Sequence, residues 1–318
     1  MTTIESAART SSCDDTEQES FWSRIGLLRL AGLMLVIAVI WRLTDVFILG
    51  LGDTWINIMP SKLFPFLIML GLFFRYRTDE VAPVLGLGRQ QLRIQLFFGV
   101  IIGCSMYVFI EILPPLIYGT LFDKSYPLDF TVLFVDILWY QFIFFFTNAL
   151  LEETLFRGLI QNGLRPRFTP NRAIILSALA FGVWHLCWPV INGLSGNLSL
   201  SEAASMFVFT TILGLFFGTY YEKFSSRVTL AGPITIHTLV NFLNEDFKLG
   251  PAPSTQGPDF AFGSPVLMGI TFIFLITTLV VLIRLASSTR AEHVQSWWAQ
   301  WKKGTNIGAT ELHESEKK

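Results

Sequence analysis

The chain has 318 residues, of which 52% are hydrophobic and 15% are charged. Soluble globular domains carry about 25% charged residues, so this composition excludes an ordinary soluble domain and indicates a helical membrane protein. The net charge of −1 offers no basic surface, and we therefore expect no nucleic-acid partner. The three cysteines, Cys13, Cys104 and Cys187, are too widely spaced to predict a disulfide framework or a Cys-based zinc motif.

The sequence predicts one membrane domain between two polar tails. Residues 1–24 are polar and lack the apolar segment of a cleaved signal peptide, so they are expected to form a cytoplasmic tail. Residues 25–286 are expected to form the membrane-embedded domain, which is surrounded by the lipid bilayer. Residues 287–318 form a second cytoplasmic tail. Its Trp297, Trp298 and Trp301 lie near basic residues and predict an interfacial helix.

Eight apolar stretches are long enough to cross about 30 Å of hydrocarbon as helices. They lie at about 26–48, 56–74, 94–117, 130–156, 173–191, 203–221, 229–247 and 264–285. The sequence therefore predicts an all-α, polytopic integral membrane bundle of about eight transmembrane helices. In the sixth stretch, Gly214 and Gly218 form a G-x-x-x-G pattern that predicts a close-packing face.

Basic residues are concentrated in alternate connections between these stretches. Arg75, Arg89 and Arg165 lie in such connections, whereas Lys124 and Lys248 are the exceptions in the other loops. By the positive-inside rule, the basic connections and both termini lie in the cytoplasm. We expect an integral protein of a prokaryotic cytoplasmic membrane.

The fourth stretch contains two adjacent carboxylates, Glu152 and Glu153. A charged residue within a membrane costs about 2.5–3.5 kcal/mol on insertion scales and usually marks a functional site. Gln141, Asn148 and Glu152 fall within about 40° of one another on a helix, so Glu152 is expected to face the bundle interior. Glu153 is turned away by about 100° and has the spacing of an ion pair with Arg157. The alternative is that both carboxylates simply end the stretch at the lipid headgroups.

The fifth stretch carries His185. The midpoint between Glu152 and His185 falls in the turn-like residues 165–170, so two helices folded back at that turn place the two side chains at the same depth. A lone histidine is commonly a satisfied core residue, but this coincidence favours a functional pair.

The seventh stretch carries His237, Asn241 and Asn244 at spacings that put them on one helix face. His237 lies roughly 15 Å along the helix from its cytoplasmic end. We therefore expect a polar site in the cytoplasmic half of the membrane.

These segments together resemble the CAAX-protease and bacteriocin-processing (CPBP, or Abi) family of intramembrane peptidases. The family pattern is E-E-x-x-x-R, F-x-x-x-H and H-x-x-x-N on successive helices, and residues 152–157, 181–185 and 237–241 reproduce it. The resemblance covers about 130–245. It implies a bundle of about eight helices around a cavity open to the cytoplasm, which cleaves peptide or protein substrates, some of them membrane-associated or lipidated.

The resemblance also implies a role for each motif residue. Glu152 and His185 would activate the attacking water, and His237 and Asn241 would stabilise the oxyanion, which requires donors aimed at the developing charge. The residues expected to support this site are Glu153, Arg157, Phe181 and Asn148.

Two alternatives remain open at this stage. Glu152, His185 and His237 are the ligand types of a catalytic zinc site, in which Glu153 would be the base. We favour a metal-free site, without a cofactor, because the sequence lacks H-E-x-x-H. The second alternative is a non-catalytic membrane scaffold that regulates a partner protein. A transporter is disfavoured because no repeated broken-helix halves are seen.

Overall fold

The protein structure, a computed structural model, describes residues 21–50, 55–187, 189–190, 200–251 and 264–301. These residues contain eight helices of at least 16 residues, which confirms the predicted all-α bundle. The helices are α1 (Leu27–Thr44), α2 (Trp55–Tyr76), α3 (Leu92–Tyr107), α4 (Leu138–Glu153), α5 (Pro170–His185), α6 (Leu200–Thr219), α7 (Ala231–Asp246) and α8 (Pro265–Ser288).

Four of these helices continue as wider π-helical turns. The extensions are Asp45–Leu49 after α1, Val108–Ile112 and Tyr118–Phe122 on either side of Leu113–Ile117 after α3, Thr154–Gln161 after α4, and Tyr220–Phe224 after α6. Turns of this kind within helices are frequent at functional sites. The one in α4 begins directly after Glu153 and leads into Asn162–Leu164.

Shorter helical segments flank the bundle. They are Phe21–Arg24, the 3₁₀ turns Thr78–Glu80 and Val135–Ile137, and residues 291–301, where the side chains of Trp297, Trp298 and Trp301 are exposed.

A two-stranded sheet lies beside α4 and α7. Strand β1 (Phe130–Val132) pairs antiparallel with β2 (Phe247–Leu249). The predicted fourth span, 130–156, therefore begins too early, because its first residues are a strand and α4 starts at Leu138. Hydropathy alone does not distinguish a short apolar strand from the start of a helix.

Within the described part of the chain, five helical stretches are long and apolar enough to cross a membrane, and the chain is an integral membrane protein. The five are Leu27–Leu49, Ile58–Tyr76, Leu92–Phe122, Ala203–Phe224 and Pro265–Ser288. The remaining helices, α4, α5 and α7, are each 16 residues long before any extension and carry the predicted site. They pack inside the bundle, where α4 contacts α2 and α7, α5 contacts α6, and α7 contacts α3.

The bundle has two chemically different ends. At the basic end, Arg77 Nη1 donates to Ile25 O at 3.0 Å, and Arg165 Nη2 lies 3.3 Å from Glu222 Oε1. The first contact joins the end of α2 to the chain just before α1, and the second joins the connection after α4 to the extension of α6. Both lie at the end of the bundle that carries the arginine-rich connections. The opposite end, called the sheet end below, carries β1 and β2, and there Tyr107 Oη donates to Phe247 O at 3.0 Å.

The basic end is closed by the connection between α2 and α3. Leu85 is fully buried, and the carbonyls on either side of it accept hydrogen bonds from other elements. Asn162 Nδ2 donates to Val84 O at 3.1 Å, and Leu230 N donates to Gly86 O at 2.8 Å. This connection is therefore part of the packed interior between the ends of α4 and α7.

Candidate active site

Glu152, in the last turn of α4, is the centre of the site and is 1% exposed. Its Oε1 accepts from Lys62 Nζ at 2.6 Å and from Trp184 Nε1 at 3.2 Å. Its Oε2 lies 3.8 Å from His185 Nε2 and 3.7 Å from His237 Nε2. The carboxylate is therefore surrounded by side chains of α2, α5 and α7 and does not end a span at the headgroups. The predicted common depth of Glu152 and His185 is confirmed.

The sequence analysis missed two residues of this site, Trp184 and Lys62. Lys62 lies on α2, is 9% exposed, and places its Nζ 5.3 Å from the centre of the Trp184 ring as well as against Glu152. Its partner is 90 residues away in sequence, so no local spacing reveals the pair. The available signal was a lysine inside an otherwise apolar span, which by itself indicates a functional position.

Glu153 is fully buried and joins α4 to α7. The predicted ion pair is present, with Arg157 Nε 3.3 Å from Glu153 Oε2. A second contact was not predicted, since His237 Nδ1 lies 2.8 Å from Glu153 Oε1. Spacing along one helix identifies the first partner but carries no information about a residue on another helix.

Aromatic rings hold Arg157 and both histidines. The guanidinium carbon of Arg157 lies 4.5 Å from the centre of the Phe181 ring and 5.2 Å from that of Phe217, within the range of cation–π attraction. Phe181 meets His185 edge-on at 4.4 Å, and Phe217 stacks on His237 at 5.2 Å. Phe181, which was expected to be a supporting residue, therefore contacts two motif residues, Arg157 and His185.

The hydrogen bonds of the two imidazoles define which nitrogen carries the proton. His185 Nδ1 lies 2.9 Å from Phe181 O, and a carbonyl oxygen only accepts, so Nδ1 is the donor. His237 Nδ1 donates to the Glu153 carboxylate for the same reason. In the neutral rings both Nε2 atoms are then acceptors, and they face a third acceptor, Glu152 Oε2.

A cavity of about 270 Å³ opens beside these atoms. Asn148 on α4 lines it, as do His237, Asn241 and Asn244 on α7, so the predicted polar face of α7 is confirmed. Gln141 was expected on the same face of α4 as Asn148. It is fully buried outside the cavity lining, and its amide atoms make no hydrogen bond within the described part of the chain.

Glu152 Oε2 and the Nε2 atoms of His185 and His237 are the three candidate ligand atoms for a zinc ion. Zinc bound by nitrogen and oxygen in a tetrahedron holds its ligand atoms about 3.3 Å apart, given metal–ligand distances of about 2.0 Å. Here the separations from Glu152 Oε2 are 3.8 and 3.7 Å, and Lys62 already pairs with the other oxygen. Among the residues that the structure describes, no group of three His, Cys, Asp or Glu has metal-site geometry. The three candidate ligands do not fit a zinc ion as placed.

Comparison with known proteins supports the resemblance. Residues 134–243 match the family model described as type II CAAX prenyl endopeptidase Rce1-like. The match spans α4 to most of α7 and so contains every residue of the three motifs, whereas Lys62 lies outside it. No curated protein matches the chain.

Proposed function

We propose that this chain, which carries a domain of the Rce1-like family of membrane peptidases, is an intramembrane endopeptidase that uses water activated at Glu152. The observation that carries the proposal is the convergence of three acceptor atoms, Glu152 Oε2 and the Nε2 atoms of His185 and His237. Three acceptors repel one another unless a donor lies between them. A water molecule has two protons to donate, and its oxygen lone pairs then remain free to attack.

The hydrolytic step follows from that arrangement. The water donates one proton toward Glu152 Oε2 and is oriented by His185 Nε2, in reach of the peptide carbonyl carbon. As the new C–O bond forms, the proton passes to Glu152. The same proton is then delivered to the leaving nitrogen as the C–N bond breaks, so that one water is consumed and a carboxylic acid and an amine are released.

Stabilisation of the oxyanion requires a donor that faces the cavity. The Asn241 side-chain amide supplies a neutral donor on the α7 face. His237 uses its Nδ1 proton for Glu153, so it donates through Nε2 only when the ring is protonated. We therefore assign the oxyanion first to Asn241, with His237 contributing in its protonated form.

Lys62 and Trp184 position the catalytic carboxylate. Both donate to Oε1 of Glu152, which leaves Oε2 directed at the two histidines. Fixing the carboxylate in this orientation before substrate arrives removes an entropic cost from the reaction. Lys62 is thus a positioning residue in this proposal.

The basic end of the bundle supports a proposed orientation of the chain in the membrane. Under the positive-inside rule, the arginines of this end favour a cytoplasmic position for both termini. The membrane in this proposal is a prokaryotic inner membrane. In this placement residues 25–286 form the membrane domain, and the helix at 291–301 lies at the inner surface through Trp297, Trp298 and Trp301. The substrate is a peptide or protein associated with the membrane, with or without a lipid group.

The test compares the purified wild type in detergent with Glu152→Gln on a peptide library, read by mass spectrometry. The nearly isosteric Glu152→Gln should lower the rate by about 10² to 10⁴, as expected for loss of a general base. His185→Ala should match it, and the double variant should be little worse, since residues acting as a unit are non-additive. Glu292→Gln, on the exposed tail helix, is the matched control. A cellular phenotype that survives Glu152→Gln would favour the scaffold.

A further inference from the structure

A second cavity lies at the surface of the bundle, between α3, α6 and α8. Its volume is about 560 Å³, within the range of about 300–1,000 Å³ for small-molecule sites. It shares no lining residue with the cavity at Glu152. The helices that form it belong to stretches long and apolar enough to cross a membrane, and its lining residues Phe109, Val281 and Leu285 are exposed. This groove therefore opens toward the lipid.

The groove exists because α8 packs on the extensions of its neighbours. Among the described residues, α8 contacts Val108–Phe122, the stretch beyond α3, and Tyr220–Phe224, the extension of α6, but has little contact with α3 itself. The space between α3 and α8 is closed on the inner side by buried aromatic rings, among them Phe216 and Phe224. An unfilled gap between helices forfeits dispersion contacts, so an apolar chain that fits the gap is favoured.

The groove is long, narrow in chemistry and aligned with the helices. Along α8 its lining runs from Phe274 to Thr289, about 22 Å at 1.5 Å per residue. One leaflet supplies about 15 Å of the roughly 30 Å hydrocarbon core, so the groove runs from the basic end past the middle of the bilayer. Apolar side chains and a few hydroxyls line it, with no charged residue among those described. Such a lining suits a hydrocarbon chain.

Two arginines lie at the basic end of the groove. Arg284 falls within about 60° of Thr277 and Val281 on α8, both of which line the groove, and Arg290 directly follows Thr289. Both arginines are exposed, and neither forms an ion pair within the part of the chain that the structure describes. A guanidinium offers donors that match phosphate oxygens, while its carbon stem lies along apolar surface.

The tail helix fixes the position of Arg290. Ala291, the next residue, is fully buried and belongs to the same apolar cluster as Phe224 and Ala286, which line the groove. The start of the tail helix is thus held at the end of the groove. Glu292 is exposed beside it and offsets one positive charge. With two arginines and one carboxylate, the end of the groove keeps a net positive charge.

We propose that the groove binds an anionic phospholipid of the cytoplasmic leaflet, with one acyl chain between α3 and α8 and the phosphate on Arg284 and Arg290. Basic groups between membrane helices on the cytoplasmic side bind anionic headgroups. The acyl chain supplies the contacts that α3 and α8 do not make with each other. The site is separate from the cavity at Glu152, so the proposal holds whether or not the chain cleaves peptides.

The experiment measures lipid binding to the delipidated full-length protein in detergent by native mass spectrometry. The probes are dioleoylphosphatidylglycerol and dioleoylphosphatidylcholine, which share acyl chains and differ in headgroup charge. The wild type should bind phosphatidylglycerol more tightly. Arg284→Ala with Arg290→Ala should weaken that binding about 25-fold, roughly fivefold per arginine, and should spare phosphatidylcholine. Arg167→Ala with Arg172→Ala, exposed at the same end of the bundle but outside the groove, is the matched control.

A second pair of variants tests the place of the acyl chain. Val280 and Val281 are each 51% exposed on α8, but Val281 lines the groove and Val280 does not. Val281→Trp should fill the groove and lower the binding of both lipids, whereas Val280→Trp should leave it unchanged. If Val281→Trp lowers the unfolding temperature, Thr277→Phe on the same face of α8 replaces it.

Equal binding of the two lipids by the wild type, or equal losses in the two arginine pairs, overturns the proposal in favour of unspecific lipid contact. Equal effects of Val280→Trp and Val281→Trp would place the acyl chain elsewhere and overturn it as well. So would a farnesylated peptide that binds more tightly than phosphatidylglycerol and is lost in Val281→Trp, since the groove would then hold a substrate lipid. No readout requires turnover, so a failed peptidase assay is distinguishable from a failure here.

Discussion

Lys62 and Glu152 form a buried ion pair between α2 and α4, with Nζ 2.6 Å from Oε1. The lysine lies outside the segment that matches the peptidase family, whereas the glutamate is the first residue of its first motif. The site is therefore completed by a helix that carries no family motif.

Lys62→Met should strongly lower both stability and activity. Removing one partner of a buried pair leaves an uncompensated charge, at a cost of about 3–5 kcal/mol. Thermal unfolding in detergent measures the loss, and Lys124→Met, at an exposed loop position, is the control. Lys62→Arg should recover much of both properties if the positive charge positions Glu152.

A double variant separates charge from packing. Lys62→Met combined with Glu152→Gln removes both charges of this pair and should unfold at a higher temperature than Lys62→Met alone, although it remains inactive. A double variant less stable than both single variants would contradict the ion-pair explanation.

Arg157→Ala should act mainly on the fold. It leaves Glu153 without its cation and removes the group between Phe181 and Phe217, so we expect a loss of about 3–5 kcal/mol. Arg167→Ala, on the exposed turn between α4 and α5, is the matched control. The measurement is the thermal unfolding midpoint with the yield of folded protein. Unchanged stability together with lost turnover would instead place Arg157 in the chemistry.

Chelation should leave peptidase activity largely intact, and purified protein should contain less than one zinc per chain. The spacing around Glu152 Oε2 is too wide for a tetrahedral ion, and Lys62 neutralises the carboxylate. Metal analysis with an activity assay checks this. Stoichiometric zinc that is lost in His185→Ala, with chelator-sensitive turnover, would support the metal-dependent alternative.

Gly86→Ala should destabilise the closed basic end. Gly86 has φ of +64°, and an added Cβ would lie 2.5 Å from Leu230 Cγ. Strain and overpacking of this kind cost about 1–3 kcal/mol. The control is Gly269→Ala on α8, where nothing lies within 4 Å and the substitution should be neutral or slightly stabilising. Equal unfolding temperatures for the two variants would contradict the packing described for this connection.

Hydropathy predicted the positions of the long helices because a membrane helix must be apolar for about 20 residues. The stretch predicted at 56–74 corresponds to α2 (Trp55–Tyr76), and that at 264–285 to α8 (Pro265–Ser288). It failed where an apolar strand precedes α4. The G-x-x-x-G prediction is confirmed by close packing, since a Cβ on Gly214 would lie 3.0 Å from Ala178 Cα.

Within the site, spacing along one helix identified the residues that share a face and the Glu153–Arg157 pair. It did not identify contacts between helices distant in sequence, such as Lys62 with Glu152 or His237 with Glu153. Those contacts depend on helix packing, which a single sequence does not specify. The contact between His237 Nδ1 and Glu153 also changes the role assigned to His237. Because Nδ1 donates to Glu153, Nε2 is the nitrogen near Glu152, and it donates to an oxyanion only when the ring is protonated.

The order of the partners along the chain has a consequence for biosynthesis. Helices of a growing chain become available from the N-terminus onward. Of the four side chains that the structure describes around Glu152, Lys62 alone precedes it, and Trp184, His185 and His237 are made later. A carboxylate entering the bilayer alone faces a penalty of about 2.5–3.5 kcal/mol. Lys62 is therefore the partner that can accompany α4 into the membrane, and a chain lacking it would present an unpaired acidic helix to the insertion machinery.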